Sequence, residues 1–103
     1  MIVTTNDIPG KEIVEVKGLV QGNVVKTKHV GRDIGASLKT LVGGEIKGYS
    51  ELMVEAREIA VERMVEEAVK LGANAIVGMR YQTAEIMGGS AEVLAYGTAV
   101  VVE

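Results

Sequence analysis

The sequence predicts an α+β domain with one dominant helix on an antiparallel sheet. Three observations carry this: apolar residues alternate with period two over 13–25, they recur at helical spacing over 51–71, and two further alternating blocks flank Gly88-Gly89-Ser90. A chain of 103 residues is one ordinary domain, or a small subunit of something larger. Its apolar fraction of 48%, charged fraction of 24% and net charge of −3 belong to a folded globular protein, not a disordered one.

In order along the chain, Ile2 to Thr4 precedes the turn chemistry of Asn6-Asp7-Ile8-Pro9-Gly10, so it reads as a short separate strand. Ile13 to Val25 is the first long strand. Val14, Val16, Gly18, Val20, Gly22 and Val24 fall on one face, against Glu15, Lys17, Gln21 and Asn23 on the other. From Gly31 the period changes. Ile34, Leu38, Leu41 and Val42 line one face of a short helix that Gly43-Gly44 ends, since glycine permits positive φ. Glu45 to Ser50 then reads as a connection. Ser50 is placed as an N-cap and Gly72 as the C-terminal stop of a helix of about six turns. Asn74 to Met87 reads as a strand with Val77, Met79 and Tyr81 opposite Ile76, Arg80 and Gln82. Glu92 to Val102 is the last strand, apolar on both faces and therefore in need of cover on both. The order read from the residues is β-α-α-β-β.

The long helix sorts into three sectors at about 100° per residue. Met53, Val54, Ala60, Val61, Met64, Val65, Ala68 and Leu71 form a broad apolar arc expected to cover the sheet. Glu51, Glu55, Glu58, Glu62 and Glu66 form a stripe of one charge. Leu52, Ala56 and Ile59 share a narrower sector with Arg63, Glu67 and Lys70. That sector and the outer face of the last strand exceed what one helix and three strands can hide, which predicts a homo-oligomer.

Several function classes are excluded by composition. With no cysteine there is no disulfide, thiolate nucleophile or cysteine-held metal, and one histidine removes multi-histidine sites within a chain. An acidic balance argues against a nucleic-acid surface. No run approaches the roughly 18 apolar residues of a membrane span, and MIVTTNDIPG lacks a basic-then-apolar leader, so a cytoplasmic location is expected. No nucleophile stands beside a base, so the reading leans away from an enzyme.

Individual residues offer candidate sites. Arg57 falls within the apolar arc, where a guanidinium needs a carboxylate, backbone carbonyls or a bound anion; its planar fork suits a carboxylate or phosphate ligand. The glutamate stripe suits a hard cation by chemistry, but carboxylates along a straight helix do not converge, and a solvated or intersubunit face is the plainer account. His29, beside Lys26 and Lys28, becomes a metal ligand only if symmetry gathers copies. Met53, Met64 and Met79 could hold a soft ion but read more simply as core. Gly31, Gly35, Gly43 and Gly44 match no phosphate-loop pattern, though backbone N–H groups at Gly31 to Asp33 are placed to receive an anion. Arg32 with Asp33, and Glu45 with Tyr49, are polar groups suited to a subunit seam. The candidate ligand pocket at such a seam comprises Arg57, Arg80 and Tyr96, which supply charge and a hydroxyl. Its ligand is a small anion or a metal ion, with cofactor and metal ligands unassigned.

GRDIGASLK at 31–39, VGGEIKGYS at 42–50, AREIAVERM at 56–64, LGANAIVGMR at 71–80 and AYGTAV at 95–100 resemble the YbjQ-like small proteins, and the likeness runs over nearly the whole chain. The resemblance implies a single domain over 1–103, a β-α-β-β subunit, and a ring-like homopentamer. It also brings a heavy-metal-binding label with no established activity. Two departures stand out: Gln82 occupies a stretch where the family pattern leads to an aspartate, and the chain has no cysteine.

Overall fold

The computed structural model describes residues 1–27, 44–87 and 90–103. Four elements follow in the order β-α-β-β: β1 (Ile13–Thr27), α1 (Gly44–Lys70), β2 (Ala75–Met87) and β3 (Ser90–Val102). The strands form one antiparallel sheet in the order β1-β3-β2, and α1 packs on one face of it. The short helix predicted from Gly31 lies outside the described residues, as do His29, Arg32 and Asp33.

The strands appear where alternation placed them, but their faces are not continuous. Val16 pairs with Val100 and Gly18 with Ala99, so Lys17 is an extra residue. This bulge at Gly18, whose φ is +122°, reverses the parity of β1. Val20, Gly22 and Val24 therefore face α1, whereas Val16 faces away from it and Val14 is exposed, correcting the single face expected. A second bulge sits in β2. Val77 pairs with Thr98 and Arg80 with Tyr96, leaving Gly78 (φ +61°) and Met79 opposite Gly97. Ile76, Met79 and Tyr81 thus lie on the helix side and Val77, Arg80 and Gln82 on the other, so Val77 and Ile76 exchange the faces expected of them. β3 carries no bulge of its own, and its two expected faces hold.

The helix begins at Gly44, six residues before Ser50, so Glu45 to Ser50 is helical and not a connection. A serine cap contributes only about 1 kcal/mol. With no proline between residues 44 and 50, little opposes extension backwards through Glu45 and Ile46. The C-terminus matches expectation. Gly72 takes φ +82°, its N–H donates to Val69 at 2.9 Å, and the Ala73 N–H reaches back to Ala68 at 3.0 Å. That is a Schellman motif, which satisfies carbonyls the helix leaves open.

The core between α1 and the sheet is built from small residues. Ala56, Ala60, Met64 and Ala68 form the buried ridge of the helix, against Val20, Val24, Val93, Ala95 and Ala99. The ridge is rotated from the predicted arc: Ala56 is fully buried, while Val54 and Leu71 are exposed. The cause is the position of α1, which lies over β1 and β3 and scarcely touches β2. Lys26 meets Glu55 at 2.6 Å and Asn23 meets Arg63 at 2.6 Å, so helix and β1 run in opposite directions. At their crossing sits Gly22. A Cβ there would collide with the Ala60 carbonyl and the Met64 amide and would lie 2.7 Å from Arg63 Cβ.

Residues 1–5 lie along the outer edge of β2. Ile2 bridges Ile76 in parallel, and backbone bonds link Ile76 N–H to Met1, Val3 N–H to Ile76, Met79 N–H to Val3 and Gly78 N–H to Thr5 at 2.8–3.1 Å. The turn closes with Lys11 N–H donating to Ile8 at 3.0 Å, Pro9 and positive-φ Gly10 holding its corner. Ile8 is thereby buried against Ala75, Val77 and Val100, with Val3, Ile13 and Val102 around it. This second small core covers one end of the sheet face opposite α1.

Candidate functional site

No other described element packs on the remainder of that opposite face. Because Val93, Ala95 and Ala99 point into the helix core, Leu94, Tyr96 and Thr98 point outward. Register then sets three cross-strand rows: Leu19–Thr98–Val77, Gln21–Tyr96–Arg80 and Asn23–Leu94–Gln82. Arg80 and Tyr96 are direct cross-strand neighbours, so two of the three residues proposed for a pocket share a row. Tyr96 is half-buried and Arg80 exposed. Arg80 Nη1 donates to the Thr4 carbonyl at 2.9 Å and to the Met79 carbonyl at 2.8 Å. One edge of the guanidinium therefore clips the N-terminal segment to β2, and a guanidinium has five N–H donors in all.

Arg57 is not with them. It sits on α1, one residue after the buried Ala56, and the sheet separates it from Tyr96 within one chain. It is half-buried, and the ion pairs among the described residues, Lys17–Glu15, Lys26–Glu55 and Lys70–Glu67, do not involve it. A site using all three residues has to draw on more than one copy of the chain.

The other candidates are placed as follows. Glu51, Glu55, Glu58, Glu62 and Glu66 are all exposed along the outer side of α1, and Glu55 is engaged by Lys26. Among the described residues no three His, Asp or Glu side chains come close enough to hold a metal ion. Met64 and Met79 are buried in the helix–sheet core and Met53 packs at its border. Gly44 lies in the first turn of α1. Among the described residues no helix is long and apolar enough to cross a membrane.

Two features escaped sequence reasoning. Asn74 pairs its side-chain amide with the end of β3: its Nδ2 donates to the Val102 carbonyl at 3.0 Å and its Oδ1 accepts from the Val102 N–H at 2.8 Å. A lone asparagine after a helix stop signals a turn, and nothing in the pattern aims it at a residue 28 positions away. The second is a largely apolar cavity of about 220 Å³ between Ile2, Val65, Val69 and Ile76, roofed by the N-terminal segment. It exists because residues 1–5 return to β2, a contact no periodicity reports.

Comparison with known proteins places this geometry. The YbjQ family model, whose description reads "Putative heavy-metal-binding", matches residues 1–103. A UPF0145 protein of Thermotoga maritima is 59% identical over 103 residues, covering 100% of this chain and 97% of that protein. One from Vibrio parahaemolyticus is 63% identical over 101 residues, covering 97% and 96%. A crystal structure of a protein of unknown function from Pediococcus pentosaceus, described as a DUF74 member, superposes with a TM-score of 0.67. It is 20% identical and the match covers 100% of this chain and 97% of that one, so it speaks to the fold.

Proposed function

The chain belongs to the YbjQ family, and from that premise we propose that it is a non-enzymatic, homo-oligomeric binding or scaffold protein of the cytoplasm, five copies closing a ring. The supporting observation is the exposed apolar residues of β1, on the same sheet face as Tyr96 and Arg80. Val16, Leu19 and Val25 are 64%, 67% and 52% exposed on one chain, all on the sheet face opposite α1. Large apolar side chains this exposed on one sheet face suit burial against another copy, and a cation beside a hydroxyl on that face suits a small anion held at a seam. Arg57 reaches that seam from a neighbouring copy.

Native mass spectrometry of the protein without additives tests the assembly. A mass near five times 10.9 kDa is expected, with any retained anion seen as added mass. A monomer would refute the proposal.

The family description favours a second reading, a heavy-metal-binding protein whose ligands ring symmetry collects, with His29 or the helix glutamates as donors. Calorimetric titration with Cu, Zn, Ni and Cd decides it. Tight binding that His29→Ala removes would establish this reading, and no tight binding of any of the four would end it.

A further inference from the structure

Among the described residues two sets of exposed apolar side chains differ in the charge around them. The first is the outer sheet face, where Leu19 and Val25 on β1 lie across β3 from Arg80 on β2. The next row along that face, Val25–Glu92–Ala84, brings in a carboxylate, and Glu92 accepts from Asn23 Nδ2 at 3.1 Å. The second lies on α1. Val54, Val61, Val65 and Val69 run down the helix between its buried ridge and its carboxylates; Val54 and Val69 are exposed and the other two half-buried. Glu58 and Glu62 border this valine stripe and are exposed, and no lysine or arginine pairs with either among the described ion pairs.

A two-fold contact through either patch leaves the other bare. Stacking two α1 stripes would also set glutamates against glutamates, and like charges at close range oppose association. A head-to-tail contact covers both patches in every copy with a single kind of seam, and such a contact closes into a ring when its rotation allows. We infer that the outer sheet face of one copy seats on the valine stripe of α1 in the next, with the remaining donors of Arg80 meeting Glu58 and Glu62 of that helix. The inference rests on the homo-oligomer proposed above and adds the identity of its two surfaces. The partner's carboxylates complete the surroundings of Arg80, so any anion at Arg80 competes with them.

The absence of cysteine makes the test direct. A chain carrying Leu19→Cys and Val61→Cys, bridged by a short bismaleimide, is expected to give a ladder of covalent oligomers, while either single variant gives none. In parallel, Arg80→Glu is expected to weaken assembly by about tenfold or more, as when a close interfacial charge pair turns repulsive. Adding Glu58→Arg and Glu62→Arg to it should restore assembly. That rescue separates the seam from the role of Arg80 in clipping Thr4. Covalent dimers from Leu19→Cys alone would mean sheet-on-sheet packing and overturn the seam. An intact oligomer with no ladder and no rescue overturns it too, yet leaves the homo-oligomer standing. A monomeric wild type sinks both.

Discussion

Replacing Gly22 with alanine adds one methyl group at the point where helix and sheet touch most closely. The added carbon would meet the Ala60 carbonyl, the Met64 amide and the Arg63 Cβ. Two of these are backbone atoms in the middle of a 27-residue helix, so no side-chain rotation relieves the clash. Either α1 lifts away from β1, or β1 bends beneath it. Overpacking in a tight interior costs about 1–3 kcal/mol, and backbone contacts put this site at the upper end. Alanine also restricts the unfolded chain, which returns about 0.4–1 kcal/mol. The net expectation is a loss of about 2 kcal/mol. Urea unfolding followed by far-UV circular dichroism measures it. With a slope of about 1–2 kcal/mol/M for a small protein, the midpoint should fall by about 1–2 M. Both proteins must be compared at one concentration, because association stabilises the folded form by mass action. Lys11→Ala, exposed and remote from Gly22 beyond the start of β1, is the control and should shift the midpoint little. A Gly22→Ala protein as stable as wild type would refute the close crossing of α1 over β1.

Other substitutions probe separate contacts. Asn74→Ala removes both side-chain bonds to Val102 and should cost about 1–3 kcal/mol by thermal or urea unfolding, with hydrogen exchange accelerating at Val102. Met64→Ala empties the largest wholly buried position of the helix and should cost about 2–5 kcal/mol in the same assay. Glu55→Gln breaks the exposed pair with Lys26 and should cost less than about 1 kcal/mol, a difference that disappears in high salt. Arg63→Ala removes a charged donor from the Asn23 carbonyl and should cost about 1–2 kcal/mol, with faster amide exchange along the second half of β1.

What could be read from the sequence was whatever depends on local periodicity. β1, β2 and β3 announce themselves by alternation, and Gly72 by its place after the last apolar turn. Face assignment fails wherever one extra residue enters a strand. Lys17 and the Gly78–Met79 step each reverse the parity, and a glycine in an alternating run does not say whether it serves a bulge or merely a small side chain. The helix starts earlier than the Ser50 cap signals because that cap is a small term and residues 44–49, free of proline, continue the helix despite Gly48. Of the candidate site, Arg80 and Tyr96 were recognisable as unusual residues on strands. Their adjacency depends on register, which only the assembled sheet sets. Arg57 stands out in the sequence as a cation amid apolar neighbours, but the position of α1 over β1 decides which layer it occupies.

The strand order has a consequence for how the chain is made. Among the described residues β1 pairs with β3 alone, matching Ile13 to Val102 and Thr27 to Ser90. Its partner therefore leaves the ribosome only after α1 and β2 have been made. The β2–β3 hairpin is local and can close as soon as it emerges, but β1 waits through the synthesis of α1 and β2 with both edges bare. Long-range pairing of this kind slows folding and prolongs exposure of a sticky strand. Glu15, Lys17 and Lys26 interrupt the valines of β1 and act as charged gatekeepers during that interval. A ribosome stalled before residue 90 would hold a chain whose longest strand has nothing to pair with, and shortening that pause should raise the yield of folded protein.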